Sequence, residues 1–302
     1  MISSHNKRFI GVKMLRLSKK NKKIFGLLII VIIIIISVIT INKVIFKKSV
    51  SLQSEIQKAS PKNVMVFAHR GMLYHNPEHS FAGYNENIKD GATIIEQDVH
   101  MTKDKYLIVS HDDNLMRTTG KNISISHSNY DQIKNTRLRN EEKVHTLDEV
   151  LTKYKNKVNY AIEAKREFQH NFELEHLIAE DVNKHGLTKN VLIQDANLNG
   201  LISIHKETNF KNVPTLWLEN DNHFKTDYKK AIDKTPQYIT FISMPLNLAK
   251  PEIVNYIHQN KHLVNVWTIT NYDDNAAAKA AKVDSVFTND AKFTLHYLKH
   301  SF

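Results

Sequence analysis

The 302-residue chain contains no cysteine. That excludes a disulfide framework and a thiolate-ligated zinc site, and leaves the size of an apolar core as the source of stability. Acidic residues are missing from the first 50 positions, which hold 11 of the 42 Lys and Arg; residues 51–302 therefore carry 31 basic residues against all 31 acidic ones. The formal net charge of +11 belongs to the N-terminus. A folded part that is neutral overall lacks the basic surface that phosphate-backbone binding needs, which argues against nucleic acid as a partner. No Gly-x-Gly-x-x-Gly follows any apolar run, so the dinucleotide-binding signature is absent too. Charge of either sign is missing from residues 24–41, IFGLLIIVIIIIISVITI.

That run has 18 positions, near the short end of the roughly 17–25 apolar residues that span a bilayer, and Val44 to Phe46 extend it. A cleaved signal peptide would have a shorter apolar region ending in small residues, whereas Ser37 to Ile41 are largely β-branched. An uncleaved anchor over 24–46 is therefore expected. Eight basic residues precede it (1–23) and only Lys43, Lys47 and Lys48 accompany or follow it. The positive-inside bias puts the N-terminus in the cytoplasm and everything beyond the anchor outside the cell membrane. Residues 47–62, polar with a late proline, read as a tether to a domain over 63–302.

Within that domain, β-rich runs alternate with amphipathic stretches. The expected strands are Val64–Ala68, Thr93–Val99, Tyr106–Ser110, Tyr160–Ala164, Val191–Gln194, Pro214–Leu218, Tyr238–Ile242, Leu263–Ile269 and Ser285–Thr288. Thr146 and Glu149 have capping-box spacing, residues 172–185 carry helical periodicity up to Gly186, and Pro251 suits a first helical turn. Eight or nine strands alternating with helices in about 240 residues predict a closed (β/α)8 barrel. The 106–110 run follows its predecessor without a helix, as a hairpin extension would.

In such a barrel the C-terminal strand ends carry the chemistry. His69 and Arg70 end the first strand, Glu96 and Asp98 lie on the second, His111 and Asp112 end the third, and Glu163 and Lys165 end the fourth. Glu96 and Asp98 are two apart and share a face, as do Glu163 and Lys165. Three converging carboxylates call for a cation, and all-oxygen ligation selects a hard ion, Mg²⁺ or Ca²⁺. Arg70 and Lys165 could then hold an anionic substrate, with His69 and His111 free for proton transfer. Trp267 reads as core or pocket wall. His75, His79 and His100 read as surface or loop residues.

In order, AHRG, NPEHS, IEQDVHMTKDKYLIVSHDDNLMRTTG, VHTLDEVL, YAIEAK and VNVWTIT resemble the motifs of the glycerophosphodiester phosphodiesterase family, in a membrane-anchored bacterial form. The resemblance spans about residues 64–290 and implies a TIM barrel of the phosphatidylinositol-phospholipase type. It implies a metal-dependent hydrolase that cleaves glycerophosphodiesters to glycerol phosphate and an alcohol; a domain placed outside the membrane could meet deacylated phospholipids or glycerol-phosphate polymers as substrates. Carried over by position, Glu96, Asp98 and Glu163 would ligate the metal with Glu78 nearby. His69 and His111 would be acid and base, and Arg70 and Lys165 would hold phosphate. His79, Ser80, Thr270, Lys282 and Asn289 depart from the family pattern, where Asn, Thr, Asn, Gly and Asp are usual; they are expected at the substrate rim. Two rival functions share the barrel: a phospholipase-type lyase giving a cyclic phosphate, and an inactive envelope-binding domain.

Overall fold

The computed structural model describes residues 28–33, 51–165, 171–219 and 223–300. The chain divides into units over 1–45 and 46–302. Of the first, residues 28–33 are helical and exposed; the rest of the expected anchor lies outside the described residues. Among the described residues no helix is long and apolar enough to cross a membrane.

Among its described residues the second unit is built on nine strands: β1 (Met65–Ala68), β2 (Ile94–Met101), β3 (Leu107–Val109), β4 (Asn159–Ala164), β5 (Val191–Asp195), β6 (Thr215–Leu218), β7 (Phe241–Pro245), β8 (Leu263–Ile269) and β9 (Ser285–Thr288). β1 pairs in parallel with both β2 and β9, which closes a ring with β4 to β8, and all eight strands of that ring run parallel. β3 pairs antiparallel with β2 and stays outside the ring. The expected (β/α)8 barrel and hairpin extension are both present. β7 begins three residues later than expected, because the turn after Pro236, closed by the Ile239 amide on the Pro236 carbonyl at 2.9 Å, takes up Tyr238, which stays exposed.

Register is set inside the barrel by a buried polar row. Ser243 on β7 donates to Asn265 on β8 at 2.6 Å, and Asn265 donates to Ser285 on β9 at 2.9 Å. A one-residue slip would leave these groups without partners in an apolar interior, a cost that fixes the pairing. Around the row pack Met65, Phe67, Ile94, Leu192, Leu216, Phe241 and Phe287.

The expected tether is only partly one. Leu52–Lys58 is a helix, and Leu52, 1% exposed, joins that same core cluster with Ile56 and Ala59 against it. Glu55 bonds to Thr93 and Asn159, which precede or open β2 and β4, so this helix covers the N-terminal end of the barrel. The polar composition concealed a helix that needs only one face to be apolar. With that end covered, the C-terminal strand ends form the open face.

Helix boundaries follow local chemistry. Thr146 and Glu149 form the anticipated capping box at the start of Leu147–Tyr154. Ser80 accepts from the Gly83 amide at the start of Phe81–Lys89, and Glu142 takes the Phe81 and Ala82 amides. The latter helix begins at the end of the loop that leaves β1, and so positions the residues described next.

Candidate active site

A cavity of about 210 Å³ at the open face is lined by His69, Arg70, Glu96, His111, Glu163, Lys165, Gln194 and Trp267, among others. It brings seven of the sequence-derived residues together. Trp267 forms wall and also packs on the core. Asp98 lies beneath, buried, tied to Arg70 at 3.2 Å and Lys165 at 3.5 Å. A larger cavity of about 760 Å³, beyond β5 and β6, is lined by Glu219, Asp227, Lys230 and Lys234 and, among the described residues, by no histidine. His69 and His111, the two histidines that the sequence singles out, are both in the smaller one.

The carboxylates are held by the strand register. Glu96 and Asp98 point the same way from β2, and Asp98 is paired in register with Glu163 on β4. Glu96 accepts from the Arg70 amide at 2.8 Å and from Gln194 at 3.2 Å. Glu163 meets Lys165 at 2.9 Å. Burial, and then the negative charge of Asp98, push the Glu96 carboxyl well above the usual carboxylate range. The same two causes push Glu163 up to about 8. Burial would also raise Asp98, but Lys165, the His79 hydrogen bond and Arg70 outweigh it and hold this carboxylate well below its usual value. Lys165 is shifted upward: burial alone would lower it, and Asp98 and Glu163 prevail. The cluster is short of positive charge.

His79 is not a surface residue. It is 2% exposed, its Nε2 lies 3.1 Å from Asp98, and its Nδ1 lies 2.8 Å from the Tyr84 hydroxyl. The Tyr84 hydroxyl also donates to the Glu96 carbonyl at 3.1 Å, and His79 Nε2 faces the carboxylates. Donor atoms of His79, Glu96 and Asp98 lie within 4.8 Å of one another and could hold a metal ion. Glu163 reaches the same cavity but is not part of that group. The cause is backbone: at φ 56° the residue turns back, its amide donating to the Arg70 carbonyl at 2.7 Å, which swings the ring inward. His100 is also buried, with Nε2 3.1 Å from the His111 carbonyl, where it supports the His111 loop. His75 is exposed and paired with Glu86, as expected of a surface histidine.

The two histidines of the cavity have unequal partners. His69 Nδ1 donates to Asn289 at 2.7 Å; burial, then the adjacent Arg70, lower its pKa to about 4. His111 Nδ1 lies 2.7 Å from Asp112, although burial lowers its pKa as well. Asp112 is held down at about 2, chiefly by Arg117.

Arg117, which strand-end reasoning passed over, joins two of the candidate residues. It donates twice to the buried Glu78, at 2.8 and 2.9 Å, and once to Asp112 at 2.6 Å. It thereby ties the loop after β1 to the loop after β3. Burial would raise the Glu78 carboxyl, but Arg117, His79 and Arg70 bring it below the usual range. Glu78 is thus engaged by arginines. Gln194 was also missed, although a polar side chain near the end of an apolar strand was a readable signal.

The residues expected at a substrate rim do other work. Ser80 caps a helix, Thr270 bonds Asp274 at the start of another, and Asn289 holds His69. Lys282 lies before β9, at the opposite end of the barrel, at φ 60°, a left-handed position that glycine adopts without strain.

Comparison with known proteins agrees with this geometry. Residues 69–292 match the sequence profile of the glycerophosphoryl diester phosphodiesterase family. A glycerophosphodiester phosphodiesterase of Bacillus subtilis is 29% identical over 260 residues, covering 80% of this chain and 88% of that one. Among solved structures, a glycerophosphodiester phosphodiesterase from Parabacteroides distasonis has a TM-score of 0.68 at 20% identity, covering 79% of this chain and 98% of that chain. A phosphodiesterase from Oleispira antarctica, in complex with the product sn-glycerol-3-phosphate, has a TM-score of 0.68 at 18% identity, covering 78% and 96%. The profile match extends over most of the chain and includes every strand end that lines the cavity. The chain belongs to the glycerophosphoryl diester phosphodiesterase family and is an enzyme of that class, a phosphoric diester hydrolase.

Proposed function

We propose that the protein hydrolyses glycerophosphodiesters to glycerol phosphate and an alcohol with the help of a divalent cation. The observation that carries this is the joint presence, in one cavity, of two imidazoles, two cationic side chains and carboxylates that lack balancing charge. Such a donor set fits a cation: Glu96 and Glu163 are pushed toward the neutral form by burial and by Asp98, and a bound ion would relieve that repulsion. Glu96, Asp98 and Glu163 would hold it, with His79 Nε2 beside Asp98. Ca²⁺ or Mg²⁺ suits the oxygen-rich set, and when bound it supplies charge neutralisation at the phosphoryl oxygens.

This chain's own residues do the rest. Arg70 and Lys165 bind and orient the anionic diester, and their fixed charges face the oxygens on which negative charge grows in the transition state. One histidine takes the proton of the attacking hydroxyl and the other protonates the leaving alkoxide. Trp267 closes one wall. Incubating the protein with a panel of glycerophosphodiesters, with and without chelator, and identifying the products tests the reading. Glycerol phosphate plus free alcohol, formed only without chelator, is expected. A cyclic phosphate as final product would favour the lyase, and absence of turnover with all substrates would favour a binding domain.

We further propose that residues 24–46 anchor the protein in the cell membrane with residues 1–23 in the cytoplasm and the barrel outside. Support comes from the uncharged run and the eight-to-three basic asymmetry. Such a placement would present the cavity to deacylated lipids or to glycerol-phosphate polymers of the envelope.

A further inference from the structure

We propose that Asn289 is a positioning residue: it holds His69 in the tautomer whose Nε2 lone pair is free toward the cavity, and so makes His69 the proton acceptor of the histidine pair. The proposal rests on the hydrolase reading of the cavity and assigns roles that reading leaves open.

The placement follows from the barrel's closure. β1 and β9 are neighbours with Ala68 paired to Thr288, and the His69 amide donates to the Thr288 carbonyl at 3.0 Å. The next residue on each strand, His69 and Asn289, therefore stand side by side. Asn289 is itself fastened: its amide donates to the Ile269 carbonyl at 3.1 Å, and the Asp290 amide to the Thr288 hydroxyl at 3.1 Å. A side chain set on so fixed a backbone can hold a ring in one orientation.

The carboxamide oxygen, 2.7 Å from His69 Nδ1, can only accept. The proton of a neutral imidazole is then on Nδ1, and Nε2 keeps its lone pair. Among the described residues Nε2 has no hydrogen-bond partner, and the ring lines the cavity. A carboxamide also carries no charge that would hold His69 as imidazolium. Of the charged groups around it, Arg70 on its own loop and His79 in the following turn disfavour the charged ring, while Asp98 on β2 favours it. His111 differs, since its Nδ1 partner is the carboxylate of Asp112; Asp98 and Asp112 favour a proton on that ring, against burial, Lys165 and Arg70, which make it ready to give one up once charged.

The proton balance follows. The attacking hydroxyl gives its proton to His69 Nε2 while its oxygen lone pair forms the new P–O bond. The P–O bond to the leaving alcohol breaks, and the alkoxide takes a proton from the His111 imidazolium. One proton is taken and one given, and both rings are restored by exchange with solvent.

The test uses full-length protein with ¹⁵N-labelled histidine, the His69 signals being assigned by their loss in His69→Gln. At neutral pH the wild type should show Nδ1 protonated and Nε2 bare. Asn289→Leu, which has no acceptor, should release the tautomer and lower kcat on the order of 10²-fold, the effect of a misaligned reacting group, with KM little changed. Asn289→Asp keeps the acceptor but adds charge. It should preserve the tautomer, restore kcat at high pH and move the acidic limb of kcat/KM to higher pH. A protonated Nε2 in the wild type, or an acidic limb unmoved in Asn289→Asp, would overturn the proposal. The tautomer is read without turnover, so failure of the proposal is distinguishable from absence of hydrolase activity, and it remains readable if Asn289→Leu does not fold.

Discussion

Arg117→Ala removes the bond between two loops that carry catalytic candidates, and its cost can be worked from the geometry. Glu78 is 6% exposed and takes two of its hydrogen bonds from this guanidinium, at 2.8 and 2.9 Å. What remains is Arg70 at 3.6 Å and the His111 amide at 3.4 Å, both long. Stripping a fully buried carboxylate of its partner costs roughly 3–5 kcal/mol. The Arg117 side chain is half exposed, so water can enter and the figure falls to about 2 kcal/mol. For a domain of this size that is a drop in Tm of roughly 4–8 °C. Asp112 also loses its anchor and can turn away from His111, so kcat should fall on the order of 10-fold or more. Arg117→Lys, a point charge unable to span both carboxylates, should recover only part of each loss. Thermal unfolding and steady-state kinetics are measured for Arg117→Ala, Glu78→Gln and the double variant. Because the two side chains are in direct contact, their effects should be non-additive by roughly 0.5–3 kcal/mol. Strict additivity, or an unchanged Tm and kcat in Arg117→Ala, would refute the reasoning.

Other perturbations separate the remaining claims. Leu52→Ala should cost about 3 kcal/mol, read as a fall in Tm of roughly 6–12 °C, if the helix 52–58 is part of the barrel rather than a tether; an unchanged Tm would restore the tether. His79→Ala should weaken divalent-cation binding measured by calorimetry and lower stability, because Asp98 loses a buried partner, whereas the exposed His75→Ala should alter neither; equal effects would mean that His79 is misplaced. Protease added to intact cells should digest the barrel and spare the first twenty or so residues, and protection of the barrel until the membrane is breached would reverse the topology.

How far the sequence could be read depended on periodicity. Strands and their ends were legible because alternation and apolar runs report on the strand itself, and His69, Glu96, His111 and Glu163 sit where such runs stop. The capping box at Thr146 was legible because it is a local bond over three residues. His79 was not, since its burial depends on a left-handed backbone turn and on Tyr84 and Asp98, neither of which a turn sequence displays. Arg117 lies 39 residues from Glu78 in a one-turn helix, Met116–Thr119, too short to show a period, and only the closed fold brings the two together. The Asn289–His69 contact was hidden for the same reason: the two are 220 residues apart and adjacent only because β9 closes on β1.

The most direct test of the cavity as the active site is kcat for His69→Ala and His111→Ala, measured on a glycerophosphodiester with Tm as control. Each should lose roughly 10²- to 10⁴-fold at little change in Tm. The double variant should lose less than the product of the two, because the rings act in one proton-transfer unit. Activity within a few-fold of wild type in either single variant would contradict the assignment of these histidines to the chemistry.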